Sequence, residues 1–434
     1  MRKHLSATGL LEAMRLSFSK VKDPLKEKTK KYELVDCLMS GLAIFSFKSP
    51  SLLDFDQNKD SKFVRYNLKH LYGVEKAPCD TQLRERLDEV EPSSINRAYK
   101  AGLRAMQRGK ALPLFEFLDG YYLISNDGTG VFHSEKVHCE NCCVKNHKDG
   151  RVSYYHQTMS SVLVHPDQSV VIPLLSEPIL KGDGSTKNDC ERNAGKRLLE
   201  QLRTMHPQLK MLVVEDGLHS NAPHIKLLKE LKYRYIIGVK PKDHKWLFDW
   251  VNVGSCETLT TRRENRTYHF RWFNDAPLNE SNEDIRVNFF ECIEITVDKK
   301  GNEKRQLFTW VTDIVITKDN VYQLMRGGRA RWKVENEAFN TLKNQGYRFE
   351  HNFGHGYKYL SSVFTHLMLL AFMVDQIQQL CCPYFSKALK KCFNKRRLWE
   401  RMRWLMYGCY IECWEALFTA IADPPDLYLR LDTS

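Results

Sequence analysis

Three acidic residues stand where carboxylates could take part in phosphoryl-transfer chemistry. Asp127 follows the apolar run YLISN, Asp216 follows MLVVE, and Glu335 lies in the segment RWKVENEAF. Taken singly, each aspartate is more typical of a turn, because Asp side chains accept hydrogen bonds from nearby backbone N–H groups. Taken together, two aspartates and a glutamate supply the hard oxygen ligands that Mg²⁺ requires. Two ions held in this way can activate a nucleophilic oxygen and stabilise the leaving oxygen of a phosphodiester.

The glutamate is predicted to lie on a helix within residues 322–346. A glycine pair is expected to precede this helix and Gly346 to end it. At helical spacing Arg331 and Glu335 lie on one face, one turn apart. The simplest interpretation is an exposed ion pair on a charged helix. The alternative is a catalytic carboxylate beside an arginine that binds a phosphate backbone.

The two aspartates are predicted to lie at strand ends of a mixed α/β sheet. From residue 115 to about 240 the pattern is strand, strand, strand, helix, strand, helix, strand, which favours a sheet with helices packed on it. The run before Asp127 is expected to end in an acidic–glycine turn, NDGTG. Glu215 competes with Asp216, but successive strand residues point to opposite faces, so only one of them can be the ligand.

The rest of the chain is expected to surround this core. The segment DTQLRERLDEV is predicted to be a short amphipathic helix with Arg84 and Arg86, which is consistent with either a DNA-reading module or a plain helical bundle. The predicted division is a helical N-terminal region with a candidate DNA-binding role (1–114), the first part of the core (115–240), a β-rich insertion (241–316), the last part of the core with the Glu335 helix (317–356) and a helical, basic C-terminal region (357–434).

Composition narrows the class of protein. The chain of 434 residues carries a net charge of +13, which favours a polyanionic partner, either nucleic acid or an acidic membrane surface. The first residues lack a secretory signal pattern, so the 13 cysteines are expected to be reduced thiols in the cytoplasm. The apolar stretch 363–374 is shorter than the roughly 20 residues of a bilayer span. It is predicted to be a buried helix, and no membrane association is expected.

A second cluster has the residue types of a metal site. The sequence HCENCCVKNH contains His138, Cys139, Cys142, Cys143 and His147. Four nitrogen or sulfur ligands close together can form a structural Zn²⁺ site. The second half of a usual zinc motif is absent from the vicinity, so the alternative is a loop of reduced, unliganded thiols.

The three acidic segments together resemble those of DDE transposases of bacterial insertion sequences. The matching pieces are NDGTG around Asp127, VVEDG around Asp216 and RWKVENEAFNTLK around Glu335, within residues 115–350. The resemblance is to the cut-and-paste branch, which has a ribonuclease-H-like core and a β-rich insertion before its last acidic residue. It selects Asp216 over its neighbour as the metal ligand.

The last motif of that branch runs Tyr-x2-Arg-x3-Glu-x6-Lys, and this chain departs from it at two positions. Arg331 and Glu335 match the central part. Gly328 occupies the tyrosine position, whereas Leu342 occupies the lysine position and Lys343 follows it. The resemblance therefore assigns the acidic triad directly, whereas the residues that hold the DNA end in that branch are matched only in part.

The resemblance implies a catalytic triad of Asp127, Asp216 and Glu335 that holds two Mg²⁺ or Mn²⁺ ions. Arg331 is expected either to contact a phosphate of double-stranded DNA or to support the Glu335 carboxylate, and Lys343 is a candidate for contacting the backbone of the element end. Trp332 is a candidate for stacking on a displaced base, although a tryptophan in an amphipathic helix is usually part of the core. The implied partners are the terminal inverted repeats and the target DNA, bound by a homodimer on paired ends.

The predicted function is cleavage of the ends of an insertion element and their joining to target DNA, in a bacterial, nucleoid-associated protein. One alternative is a metal-dependent nuclease with the same core that cuts without joining. The other is an inactive remnant or repressor that only binds DNA. The intact triad counts against the second alternative.

Overall fold

The computed structural model describes residues 3–25, 31–184, 186–298 and 301–425. Its N-terminal region is helical, as predicted. The helices before the first strand are α1 (Ala7–Phe18), α2 (Leu34–Ser46), α3 (Leu52–Asn58), α4 (Lys62–Tyr72), α5 (Asp80–Asp88) and α6 (Asn96–Arg108).

The strands form one mixed sheet. In chain order they are β1 (Glu116–Leu118), β2 (Tyr121–Ser134), β3 (Cys143–Asn146), β4 (Val152–Val164), β5 (Ile172–Ile179), β6 (Met211–Glu215), β7 (Arg234–Gly238), β8 (Glu257–Arg263), β9 (Arg266–Pro277), β10 (Arg286–Val297) and β11 (Glu303–Thr312). Their order across the sheet is β3-β4-β2-β6-β7-β11-β10-β9-β8, with β1 on β2 and β5 on β4.

The centre of the sheet is parallel and its flanks are antiparallel. Strand β6 pairs in parallel with both β2 and β7, whereas β4 pairs antiparallel with β2 and β5. The helices between these strands are α7 (Lys187–Met205) and α8 (Ala222–Glu230). This succession confirms the mixed α/β, ribonuclease-H-like fold class that the pattern predicted.

The predicted insertion, residues 241–316, consists of α9 (Lys245–Val253) and strands β8–β11. It is β-rich, as expected. Strand β11 pairs antiparallel with β7, through Trp310 and Gly238 at one end of the shared register. The insertion therefore extends the main sheet and does not form a separate sheet.

The helix that carries Glu335 is interrupted. It consists of α10 (Val321–Ala330), a π-helical segment (Val334–Phe339) and α11 (Asn340–Asn344). The expectation that the glycine pair precedes the helix is wrong, because both glycines lie inside α10 and are buried. Gly346 follows α11 with φ of +98°, a conformation that glycine adopts without strain.

The C-terminal region is helical, with α12 (Leu360–Cys381), α13 (Pro383–Cys392), α14 (Lys395–Gly408) and α15 (Trp414–Ala422). At 22 residues, α12 is longer than its apolar stretch predicted, and by length and composition it could cross a membrane. However, 89% of its most apolar window is buried inside the protein, which identifies it as a core helix. The basic segment 387–404 is divided between α13 and α14 at Phe393.

Candidate active site

Asp127 lies in the middle of β2 and not at its end. The predicted turn after it is wrong, because β2 continues antiparallel to β4 as far as Ser134. Strand β2 pairs in parallel with β6, with Ser125 opposite Val214. The same register continued by two residues sets Asp127 beside Asp216, the first residue after β6. Neighbouring strands lie about 4.8 Å apart, so the sheet itself brings the two aspartates together.

The residues just before these two aspartates form a separate, buried pair. The Nδ2 group of Asn126 donates to Glu215 Oε1 at 2.8 Å, and Glu215 Oε2 lies 2.6 Å from His224 Nε2. Burial would raise the pKa of Glu215, but His224, His219 and Asn126 lower it to about 2. Glu215 is thus engaged on the other face of the sheet, which leaves Asp216 as the carboxylate available on the Asp127 face.

Glu335 reaches the same place through the helix. The hydroxyl of Ser125 donates to the carbonyl oxygen of Arg331 at 3.0 Å and ties the end of α10 to β2. One turn further, Asn340 N–H donates to the carbonyl oxygen of Glu335, five residues back, which is the π-helical pattern. Such π-helical turns are frequent at functional sites.

Arg331 lies between two of the acidic side chains. Its Nη1 is 2.9 Å from Glu335 Oε1 and 3.7 Å from Asp127 Oδ2. The predicted one-turn pairing of Arg331 with Glu335 is therefore present. The arginine also contacts Asp127, which lies far away in the sequence.

Asp127 is the electrostatically perturbed member of the group. Burial first, and the nearby Glu335 carboxylate second, raise its pKa from 3.8 to about 7, while Arg331 acts in the opposite direction. The other two acids are more open to solvent, since Asp216 and Glu335 are both exposed. The site therefore crowds carboxylates together at a surface that a large substrate can reach.

The donor set fits a divalent cation. Carboxylate oxygens are the ligands that Mg²⁺ and Mn²⁺ prefer, and a cation beside Asp127 would offset the repulsion from Glu335 that helps to raise the pKa of Asp127. The three carboxylates of the triad are not tightly clustered. Among the described residues, the clusters of potential metal ligands whose ligand atoms all lie within 4.8 Å of one another do not include the triad.

Glu191 on α7 is an acidic neighbour that the sequence analysis missed. A Cβ atom added at Gly128 would lie 2.9 Å from Glu191 Oε1, so the carboxylate packs directly against the backbone next to Asp127. Burial raises the pKa of Glu191, Lys187 lowers it, and the charge of Asp216 raises it further. A clue in the sequence was Gly128 itself, because glycine in a strand often marks a close approach.

Close packing explains why a glycine, Gly328, occupies the tyrosine position of the motif. A Cβ atom at Gly328 would lie 2.6 Å from Trp310 Nε1 on β11, and one at Gly327 would lie 2.9 Å from Phe117. The pair lets α10 lie directly on the sheet. A tyrosine side chain has no room at Gly328 in this structure.

Trp332 and Lys343, the other two predicted DNA contacts, have partners other than the acidic triad. Trp332 is 40% exposed, and its ring packs edge-on against Phe308 of β11 with the ring centroids 5.8 Å apart. Lys343 pairs with Glu350 Oε1 at 2.8 Å. Neither contacts Asp127, Asp216 or Glu335 in the hydrogen bonds and ion pairs of the described residues.

The arginines of the predicted DNA-reading helix, α5, have partners within the protein. Arg86 donates to both carboxylate oxygens of Asp23, at 3.1 and 2.9 Å, and is buried. Arg84 pairs with Asp80 at 2.9 Å. These contacts are those of a helical bundle, which was the alternative interpretation of this segment.

The predicted zinc residues are only partly brought together. Cys139 and Cys142 face each other, with Sγ atoms 3.9 Å apart. The other three have different neighbours: His138 stacks on Tyr154, Cys143 Sγ contacts the carbonyl oxygen of Ile179, and His147 Nε2 contacts Ser153 Oγ at 2.8 Å. The ligand atoms that join the two cysteines belong instead to His156 and His355, which sequence proximity could not indicate.

Comparison with known families supports the same class of protein. Residues 144–374 match the family described as the transposase DDE domain, which is more than half of the chain. The chain therefore belongs to the DDE transposase family. The matched range includes Asp216 and Glu335 but begins after Asp127, whose assignment rests on its position beside them. Comparison with curated proteins gave no significant match.

Proposed function

We propose that this protein is an active transposase that cuts DNA at the ends of its own insertion element and joins the freed ends to target DNA. The observation that carries the proposal is that the parallel pairing of β2 and β6 sets Asp127 beside Asp216, while Arg331 contacts both Asp127 and Glu335. Membership of the DDE transposase family supports the substrate class.

Asp127, Asp216 and Glu335 are the residues that would hold two Mg²⁺ or Mn²⁺ ions. When bound, such ions activate the attacking oxygen and stabilise the leaving oxygen of a phosphodiester. Asp127 has to lose its proton for this role, and its pKa of about 7 means that it does so near neutral pH. Glu191, behind Gly128, adds negative charge next to Asp216.

Arg331 has two roles in this proposal. Without ions it partly neutralises Glu335 and Asp127. With DNA bound, its guanidinium is the positive group beside the carboxylates that can hold a phosphate oxygen, because guanidinium groups bind phosphates through paired N–H donors. Lys343, one residue after the lysine position of the family motif, and Trp332, next to Arg331, are proposed to extend this contact along the DNA.

A further DNA contact is proposed on α6. Arg97, Lys100, Arg104 and Arg108 are all exposed and recur at helical spacing, so they form a basic stripe along one face. They line a groove of about 750 Å³ in which Glu200 is the acidic neighbour. A stripe of positive charge tracks a phosphate backbone without reading its sequence.

The complete proposal places a homodimer on the paired ends of an insertion element in a bacterial nucleoid. Cleavage would release a 3′-hydroxyl, and the same carboxylates would serve its attack on the target phosphodiester. Both steps are phosphoryl transfers, so no covalent link between enzyme and DNA is required.

The test uses a plasmid that carries the gene with its native flanking DNA. Purified full-length protein with Mg²⁺ should produce cleavage at the flanking repeats and joined products on a second plasmid. The variants Asp127→Asn, Asp216→Asn and Glu335→Gln should give neither product but should still bind the DNA. Cleavage without joining would indicate the nuclease alternative, and binding without cleavage by the wild-type protein would indicate an inactive remnant.

A further inference from the structure

Four side chains from three separate parts of the sequence point their ligand atoms at one another. Cys142 Sγ lies 3.9 Å from Cys139 Sγ, 3.4 Å from His156 Nε2 and 3.2 Å from His355 Nε2. His156 Nε2 lies 3.4 Å from Cys139 Sγ and 3.1 Å from His355 Nε2. All four atoms lie within 4.8 Å of one another. They therefore occupy the corners of a small tetrahedron.

The edges of this tetrahedron match those of a tetrahedral zinc site. With Zn–S bonds of about 2.3 Å and Zn–N bonds of about 2.0 Å, tetrahedral geometry gives about 3.8 Å between sulfurs and about 3.3 Å between nitrogens. The observed 3.9 Å and 3.1 Å are close to these values. A network of hydrogen bonds does not require all four atoms to converge on one point.

The surroundings of the cluster also suit a metal. Cys142, His156 and His355 are buried and Cys139 is half-buried, so water has little access. The Nδ1 atom of His355 lies 2.9 Å from the carbonyl oxygen of Gly356. That carbonyl oxygen can only accept, so Nδ1 carries the proton and Nε2 presents its lone pair to the cluster, as in zinc sites with an oriented histidine.

We propose that Cys139, Cys142, His156 and His355 bind one structural Zn²⁺ ion. All four tetrahedral positions would be taken by protein ligands, and a site with no open position serves structure and not catalysis. This proposal is independent of the proposed function, because none of the four residues belongs to the acidic triad.

The ion would join three distant parts of the chain. Cys139 and Cys142 precede β3, His156 lies on β4, and His355 lies in the segment between α11 and α12. That segment is already held at its far end, where Asp88 accepts hydrogen bonds from the N–H groups of residues 357–360. Zinc would therefore fix the connection between the Glu335 helix and α12 to the hairpin that carries Asp127.

The first experiment measures metal in the full-length wild-type protein, purified without chelator. Elemental analysis should give about one zinc per chain, and replacement by Co²⁺ should give the visible absorption of a tetrahedral thiolate site. A protein with no bound zinc that takes up none on addition would overturn the proposal. Formation of a Cys139–Cys142 disulfide in place of metal, detected by mass spectrometry under non-reducing conditions, would overturn it as well.

Matched variants test which residues are ligands. Cys142→Ser and His355→Ala should lose the zinc, whereas His138→Ala and His147→Ala, which lie near the cysteines in sequence but outside the tetrahedron, should keep it. The triad variant Asp216→Asn should also keep its zinc, which separates this proposal from the proposed function. Retention of one zinc by His355→Ala together with loss of zinc by His138→Ala would contradict the assignment.

Discussion

The Cys–His cluster and the acidic triad, for both of which we propose metal binding, are built in opposite ways. The Cys–His cluster is mostly buried, and its four ligand atoms already converge. The acidic triad has two exposed members, Asp216 and Glu335, and Arg331 lies between Glu335 and Asp127. The first arrangement resembles a structural site, which is complete before it is used, and the second resembles a catalytic site, which keeps room for ions and substrate.

The charge environment of the carboxylates also differs between the two faces of the sheet. The Asp127 carboxylate is held where its charged form is disfavoured, because burial and Glu335 raise its pKa to about 7. On the opposite face of the sheet, Glu215 has the reverse environment, since the histidines and Asn126 compensate for its burial. The two faces of the sheet thus separate a buried, hydrogen-bonded carboxylate at Glu215 from a crowded one at Asp127.

The largest expected effect is on catalysis. Asp216→Asn should lower DNA cleavage by roughly 10³-fold or more, since a lost metal ligand removes several kcal/mol of transition-state stabilisation. It should leave the melting temperature nearly unchanged. Glu215→Gln, one residue earlier, should instead lower stability by about 1–3 kcal/mol because the buried pair with His224 is weakened. Rates per folded molecule and thermal unfolding distinguish the two variants, and a reversal of this pattern would contradict the assignment.

The next effect concerns stability. Cys142→Ser should lower the unfolding midpoint by roughly 5–10 °C, because a lost structural metal is among the largest single changes that a fold experiences. His147→Ala serves as the control and should shift the midpoint by no more than a degree or two. Differential scanning fluorimetry measures both, and equal midpoints for the two variants would show that the cluster contributes no special stability.

A smaller effect is expected where α10 lies on the sheet. Gly328→Ala should cost about 1–3 kcal/mol because the added methyl group overlaps Trp310, at 2.6 Å. Gly182→Ala, where an added Cβ has nothing within 4 Å, should change stability by less than about 0.5 kcal/mol. Urea unfolding of the two variants gives the comparison. A neutral Gly328→Ala would mean that the close packing of α10 is not required.

The pH dependence should follow Asp127. A carboxyl whose pKa is raised in the folded protein disfavours folding as the pH rises from 3.8 to about 7, and the loss is complete above that range. Asp127→Asn should therefore raise the melting temperature at pH 8 without added Mg²⁺, and should have little effect at pH 4. Thermal unfolding across this range checks the sign, and destabilisation at pH 8 would contradict it.

The same pKa predicts how metal use depends on pH. At limiting Mg²⁺, cleavage should increase as the pH rises through about 7, because the proton and the metal compete for the carboxylate. Arg331→Gln should move this midpoint upward, by about one unit, because the arginine favours the charged form. A midpoint that moves downward would show that Arg331 does not act on Asp127.

The parts of the fold that the sequence predicted are those with strong local patterns. Strand β6 is a short apolar run that ends directly before Asp216, and α7 and α8 have clear helical periodicity. The errors involve glycines. Gly128 suggested a turn, but it lies within β2. Glycine is needed there because Glu191 occupies the space that a side chain would fill. The glycine pair suggested a helix boundary, but it lies inside α10 and allows that helix to pack closely on Trp310.

At the two candidate sites, the sequence could not predict contacts between residues that are far apart in the chain. Cys139 and Cys142 were identified because they are close in sequence, whereas His156 and His355 are 199 residues apart and meet through the tertiary structure alone. Asp127 and Asp216 could be related because each follows an apolar run, and parallel pairing of β2 with β6 then aligns them. Arg331 contacts both Glu335, one turn away, and Asp127, but only the first contact follows from helical spacing.

The most direct test of the central claim is a change of metal preference at one triad position. Asp216→Cys replaces a hard oxygen ligand with a softer sulfur, which binds Mg²⁺ poorly and Mn²⁺ better. If Asp216 holds a catalytic ion, this variant should not cleave element-end DNA with Mg²⁺ and should regain cleavage with Mn²⁺. The wild-type protein should cleave with either ion. Full activity of Asp216→Cys with Mg²⁺ would show that this residue does not bind the catalytic metal and would contradict the account.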